Sequence, residues 1–448
     1  MLKKIIGGVV LAGISCAVFA TDARVETMGN SDHFFRDEIS IHRNAANMGM
    51  YDNIMFGSYG AINVNPENTG GAYLTPKSPL FGGMISFGQK EGSLSKFSIG
   101  AAFNRVDSAL NYVAFNIDSL GLRTTKGDNK LLLFAGNRYN GDGNNPSGQI
   151  DLVGKVDLMF AKTLENGTTI GLGAYLAFLE GSTNEVIESY PIESGSNGLK
   201  NRFIKGNVGV NTPIGDGVDL EASVGISTLT LKGRLNADGS DSLFRYAADN
   251  DIGIQIDVRM FADIASLNGA FVPHIQANIF NYNGSGDSDT AKNDKIIDIN
   301  AGLGLNINID RGFFWTGFEG RYNKKSVVIS SNTPDINGVR KDEYGKKDII
   351  GGKIGFGIER NVLTDWFVIR VGGSKLLAKE SIDKENGGYK WIETDDGDHV
   401  SLGMGVNVEE RLKIDFTVAK NLPYTFTGLF SSSSNPYLVS RVSAVFAF

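Results

Sequence analysis

Histidine, the side chain that titrates nearest neutral pH, occurs four times in these 448 residues, at His33, His42, His274 and His399. His399 follows Asp395, Asp396 and Asp398, and an imidazole beside carboxylates is the minimum equipment for proton transfer. One such cluster lacks the nucleophile and the orienting groups that a reaction needs. Acidic runs at Asp238-Gly239-Ser240-Asp241, Gly286-Asp287-Ser288-Asp289 and Asp395 to Asp398 offer hard oxygen ligands, but none has the spacing of an EF-hand. Plain solvation of polar loops accounts for them. These residues give no reason to expect an enzyme, a bound metal or a cofactor.

A larger charged set is organised quite differently. Asp151, Lys155 and Asp157, Lys205, Asp219 and Glu221, Asp257 and Arg259, Asp298, Glu319 and Arg321, Lys353 and Glu359, Arg370, Lys413 and Asp415, and Arg441 stand in stretches where every second residue is apolar. The clearest case is Ile297 to Asp310. Its apolar set is Ile297, Ile299, Ala301, Leu303, Leu305, Ile307 and Ile309, and the residues between are Asp, Asn or Gly. Alternation with period two puts one set on each face of a strand, whereas a helix would scatter both sets around its axis. Such a strand rises roughly 43 Å, or about 33 Å when tilted by about 40°, close to the thickness of a bilayer's hydrocarbon. Charges on the opposite face from the apolar set are what a lipid-facing wall requires.

The elements that would hold these residues follow a rhythm. Ile54 to Val64, Met84 to Gln89, Phe97 to Arg105, Ile150 to Phe160, Ile170 to Phe178, Phe203 to Asn211, Val218 to Thr230, Ile252 to Ala262, Phe271 to Ile279, Ile297 to Asp310, Phe314 to Tyr322, Ile350 to Ile358, Phe367 to Gly373, Val400 to Val408, Leu412 to Val418 and Leu438 to Phe448 all read as strands. Turns such as Glu165-Asn166-Gly167 and Asp310-Arg311-Gly312 join pairs of them. Long polar connections alternate with those turns: Glu180 to Leu199, Asn236 to Asn250, Asn283 to Lys295, Lys324 to Lys347, Lys375 to Asp398 and Asn421 to Pro436. The expected fold is all-β, a transmembrane antiparallel β-barrel of about sixteen strands with short periplasmic turns and long outer loops. Val106 to Ser147 reads as one long outer loop, with Leu131 to Phe134 as its only strand-like stretch. Phe160, Phe271, Phe314, Trp315, Trp366 and Phe367 stand beside short turns, where an interfacial aromatic girdle belongs.

Residues 1–20 read as a secretory signal peptide: Lys3 and Lys4, an apolar run from Ile5 to Ile14, then Val18-Phe19-Ala20. Cys16, the single cysteine, falls inside it, so no disulfide framework is expected. Acidic residues outnumber basic ones, 50 to 43, and no basic stretch stands out, which argues against a nucleic-acid partner. No fixed repeat of a solenoid is present. Residues 21–52 do not alternate and read as a compact lead-in, followed by the barrel from 53 to 448.

Arg36 to Asn53, RDEISIHRNAANMGMYDN, resembles the N-terminal region of the FadL-like long-chain fatty-acid transporter family. There an acidic, Ser-containing stretch leads through Asn-Pro-Ala into the first strand and folds into the barrel as a plug; here Asn44-Ala45-Ala46 stands at that place. The resemblance implies a periplasmic plug built on Asp37, Glu38, His42, Arg43 and Asn44, and it makes fourteen strands the alternative count. It also implies a hydrophobic ligand, for which Tyr175, Phe261, Phe280 and Trp315, with Val272, are the inward apolar candidates. The mostly polar inward set, with Asp151, Lys155, Asp219, Glu221, Asp257, Arg259, Asp298, Glu319, Arg321, Lys353 and Arg370 lining the lumen, suits small solutes equally. An outer-membrane channel or transporter of a Gram-negative bacterium is therefore expected. The alternative is a structural, adhesive or assembly-scaffold protein without transport, as in the PorV relatives of that family. The Asp-His cluster at His399 resembles what an omptin-like surface protease uses, but it stands alone. Outer-membrane lipid and lipopolysaccharide are the expected surroundings. An amphipathic last strand ending at Phe448 resembles the signal presented to the barrel-assembly machinery. The sequence leaves oligomeric state open, because lipid-facing and subunit-facing apolar residues look alike.

Overall fold

The computed structural model describes residues 22–29, 31–60, 80–88, 93–105, 107, 109, 153–180, 200–236, 243–285, 292–330, 342–362, 366–383, 388–392, 399–409, 411–419 and 441–448. The candidate export segment, Leu131 to Phe134, Asp151, the three acidic runs beside the long connections and the partners of His399 lie outside these residues.

Seventeen strands form one sheet. They are β1 (Ile54–Gly60), β2 (Leu80–Phe87), β3 (Lys96–Phe103), β4 (Val153–Thr163), β5 (Thr169–Glu180), β6 (Lys200–Gly215), β7 (Val218–Asn236), β8 (Leu243–Ile264), β9 (Gly269–Ser285), β10 (Lys292–Ile309), β11 (Gly312–Ser330), β12 (Asp342–Asn361), β13 (Phe367–Asp383), β14 (Gly388–Ile392), β15 (His399–Val408), β16 (Leu412–Ala419) and β17 (Arg441–Ala447). Each pairs antiparallel with its neighbours, and β17 pairs with β1 from Ile54↔Ala447 to Gly60↔Arg441, which closes the ring. Both β14 and β15 pair with β13, the first at Ala378–Ile382 and the second at Phe367–Ser374. They are two pieces of one stave, so the barrel has sixteen staves and the fourteen-strand alternative falls.

The alternation is visible wall-wide. On β10, Asp298, Asn300 and Asn306 are buried while Leu303 on the opposite face is 55% exposed. Ile85, Leu172, Val208, Ile226, Phe318, Ile354 and Leu377 are likewise about half exposed or more on the outside. So large an apolar outer surface is not tolerated in water. In lipid it is required, and a closed antiparallel ring satisfies every ladder group without solvent. The chain is a membrane-spanning β-barrel.

Several strands run further than alternation alone indicates. β7 and β8 extend into the connection expected at Asn236 to Asn250, and β9 with β10, β11 with β12, and β13 do the same in theirs. A ladder needs only paired backbone groups, so strands continue above the lipid where no apolar face is demanded. Exposed Lys375 and Lys379 on β13 mark that level. At 22 residues β8 reaches roughly 55 Å along the barrel axis, about twice the apolar band of such walls.

Candidate functional site

The lumen is not empty at the end where the short turns lie. Residues 22–53 enter it as α1 (Asp22–Thr27), α2 (Ser40–Arg43) and a 3-10 helix (Ala45–Met50). These pieces are too short to be stable alone and are held by local caps and by the wall. Asp37 caps α2 by accepting from the Ser40 backbone N–H at 3.1 Å. Asn44 caps the 3-10 helix through Ala46 N–H at 3.0 Å, and its amide donates to the carbonyls of Val210 and Ala222 on β6 and β7. The segment lies so close to the wall that side chains have been omitted there. A Cβ on Gly171 would sit 2.1 Å from the Ala46 nitrogen, and one on Gly372 would sit 2.2 Å from the Gly29 nitrogen.

Arginines fasten the segment across the ring. Arg24 pairs with Glu359 of β12 at 2.7 Å, and Glu359 also receives Arg370, which reaches Asp415 of β16 at 2.6 Å. Arg36 spans Asp219 at 2.9 Å and Glu221 at 3.0 Å on β7. Glu221 accepts as well from Arg259 at 2.7 Å and Asn47 at 3.0 Å. Arg43 meets Asp32 at 3.0 Å and Asp257 of β8 at 3.5 Å. On the opposite side Glu26 accepts from Thr417, and its carbonyl accepts from Ser401. Buried charges persist only when paired and hydrogen-bonded, and these are.

Two apolar clusters complete the seat. Met28, Phe34, Phe35, Phe261, Val272 and Trp315 form one; Ile41, Ala45, Met48, Tyr51, Ile54, Met84 and Met159 form the other. Trp315 stacks on Phe34 with centroids 5.3 Å apart and donates its indole N–H to the Met28 carbonyl at 2.9 Å.

No family model and no curated protein matches the chain. Among solved structures it is similar to the Pseudomonas putida toluene transporter TodX, at 9% identity over 96% of this chain and 97% of that one, with a TM-score of 0.38. CdiB from Escherichia coli is similar at 10% identity, over 88% of this chain and 63% of that one, with a TM-score of 0.37. The ferripyoverdine receptor of the outer membrane of Pseudomonas aeruginosa is similar at 8% identity, over 83% and 65%, with a TM-score of 0.29.

The residues singled out in the sequence fall into place around this seat. Lys155, Asp219, Glu221, Asp257, Arg259, Asp298, Glu319, Arg321, Lys353 and Arg370 belong to the set opposite the lipid-facing side chains, and most of them are bound to the segment or to one another. Asp37, Glu38, His42 and Asn44 are buried between segment and wall, with Arg43 nearly so. The aromatic candidates are already engaged. Trp315 lies under Phe34, and Phe261 lies beneath Arg36 at 4.2 Å and Arg259 at 5.0 Å. Tyr175 lies beneath Arg105 at 4.8 Å, and Phe280 is packed beside Gly253. Trp315 is fully buried and so does not join the aromatic girdle expected beside the turns; Phe160, Phe271 and Trp366 do face outward. Its neighbours Phe313 and Phe314 made both faces of that stretch equally apolar.

Burial sets the charges inside the segment. Asp37 is pushed up to about 7, first by desolvation and then by the neighbouring Asp32 carboxylate. Burial alone would raise Asp32 too, but Arg43, His33 and Arg259 outweigh it and hold that carboxyl at about 2. His42 is driven down to about 4 by burial and by Arg105, so it is neutral near pH 7 and its 3.8 Å approach to Asp157 is not an ion pair there. Sequence reasoning missed His33, whose ring lies 4.5 Å from that of His274. The two are far apart in the chain, and no local spacing connects them.

Proposed function

We propose that the chain is an outer-membrane channel for small polar solutes, with residues 22–53 acting as a plug at the periplasmic end. The observation that carries this reading is the polar surface beyond the plug. Ser227, Gln255, Asn278, Asp298, Asn300, Arg321 and Asn323 occupy the inward set of β7 to β11 on the long-connection side. Amides, hydroxyls and paired charges offer hydrogen bonds to a hydrated solute and little to a hydrocarbon; Trp315 and Phe261 below them are engaged with the plug, and Phe280 and Phe203, near the level of Ser227, are buried in the wall. Passage then requires the plug to shift within its ion pairs. Its seat is stapled mainly by side chains, with no strand ladder to break among the described residues, so such a shift leaves the wall intact.

The test is conductance of the full chain in planar bilayers, alone and with Arg36→Ala, together with liposome uptake of sugars of graded size and of a fatty acid. Small, intermittent openings that grow in Arg36→Ala, with a size cut-off for sugars and no fatty-acid uptake, are the expected result. A chain that conducts in neither form is a structural or scaffold barrel. Fatty-acid uptake without sugar uptake would restore a hydrophobic cargo.

A further inference from the structure

We propose that His33, His274 and Glu319 form a divalent transition-metal site that fastens the N-terminal segment to the barrel wall. Glu319 Oε2 on β11 lies 3.1 Å from His33 Nδ1 and 3.0 Å from His274 Nε2 on β9. Donor atoms of all three residues lie within 4.8 Å of one another. Zinc-like ions bind imidazole nitrogen and carboxylate oxygen at about 2.0–2.2 Å, which spaces adjacent ligand atoms by about 3.0–3.5 Å for right-angled to tetrahedral geometry. The two contacts to Glu319 already match that spacing, and seating an ion also requires the two imidazole nitrogens to draw together from within 4.8 Å.

The ring arrangement favours a ligand set over a merely structural contact. The rings of His33 and His274 lie side by side, their planes tilted by 36°, so both edges face the same carboxylate. His33 Nε2 lies 3.8 Å from Asp32 Oδ1, within electrostatic reach and too far for a hydrogen bond. His274 presents Nε2 to the carboxylate, and with an ion there its proton stays on the buried Nδ1. Two imidazoles and one carboxylate select ions of intermediate softness such as Zn²⁺ or Cu²⁺ over Mg²⁺ and Ca²⁺, which take oxygen ligands. Lys353 sits opposite Glu319 in the β11–β12 register, and its ammonium competes with the ion for that carboxylate. Because one ligand comes from the segment and two from the wall, the ion would act as a removable rivet. The inference rests on how the segment is seated and is independent of what passes through the lumen.

The test uses the untagged full chain folded in detergent micelles, with Zn²⁺ uptake followed by equilibrium dialysis. One Zn²⁺ per chain is expected, with Ca²⁺ failing to compete. His33→Gln and His274→Gln should each weaken binding at least tenfold, and Lys353→Met should tighten it. Cu²⁺ bound to the unaltered chain should give an electron paramagnetic resonance spectrum with coupling to two imidazole nitrogens, a readout that needs no variant to fold. Failure of the unaltered chain to take up Zn²⁺ overturns the site. So does His33→Gln binding as tightly as the parent, or a copper spectrum without imidazole coupling.

Discussion

Arg24, on the first helix of the lumenal segment, and Glu359, on β12, are 335 positions apart and lie 2.7 Å from each other, both side chains almost wholly buried. Glu359 also holds Arg370, so this carboxylate joins segment to wall and wall to wall in one place.

Removing either partner should therefore have unequal effects. Arg24→Ala leaves Glu359 still paired, so its cost falls below the about 3–5 kcal/mol typical of an orphaned buried charge. Glu359→Gln strips two arginines at once and should cost more. Limited proteolysis of the segment in folded barrels should accelerate in the order parent, Arg24→Ala, Glu359→Gln. Equal rates would mean the pair contributes nothing to docking.

The close approaches at glycine give a cleaner lever. Gly171→Ala places a methyl group against the Ala46 backbone, which cannot move aside as a flexible side chain would. Gly206 also lies on the wall, but a Cβ there meets nothing within 4 Å. Gly171→Ala should raise bilayer conductance and protease access to the segment, and Gly206→Ala should leave both unchanged. The barrel's resistance to thermal unfolding should be similar in the two.

Trp315 combines an aromatic stack with a hydrogen bond to the Met28 carbonyl. Trp315→Phe keeps most of the stack and forfeits the bond, at about 1–3 kcal/mol with the carbonyl left buried. Trp315→Ala adds a cavity and should cost about 3–5 kcal/mol. Urea midpoints for release of the segment, read by proteolysis, should fall in that order. Equal midpoints for the two variants would place the energetic weight on the indole N–H, which both lose.

Docking of the segment should respond to pH through two opposed groups. Asp37 is raised from 3.8 to about 7 when docked, so the docked form holds the extra proton and docking weakens as pH rises from about 4 to 7. His42 is lowered from 6.5 to about 4, so the free form holds the extra proton and docking strengthens as pH rises from about 4 to 6.5. The two contributions offset each other below pH 6.5. Asp37→Asn should therefore turn a nearly flat profile between pH 4 and 6.5 into one that rises with pH. Protease protection measured across that window checks it, and a flat profile in the variant would refute the assignment.

The barrel was readable in the sequence wherever lipid lies outside it. Ile297 to Asp310 alternates because hydrocarbon on one side and the lumen on the other leave no freedom. Above the lipid that demand lapses, which is why β7 and β8 continue through residues that look like loop. The inward charges were legible as a face, since Asp219, Glu221, Asp257 and Arg259 are placed by the strand period alone. Their partners were not. Arg24, Arg36 and His33 sit in a segment without periodicity, and each finds its contact at least 183 positions away on a strand that only closure of the ring brings near.

The span between Ala23 and Ser443, which meet through a hydrogen bond at 3.3 Å and are 420 positions apart, has a consequence for biogenesis. Residues that precede β1 in the chain find their lodging only when β17 is in place. Contacts of such long range are slow to form, because loop closure precedes any reward. A folding chain must keep the segment's three arginines apart from the wall carboxylates awaiting them until the ring shuts around it. Enclosure of the segment is therefore complete only once β17 has paired with β1.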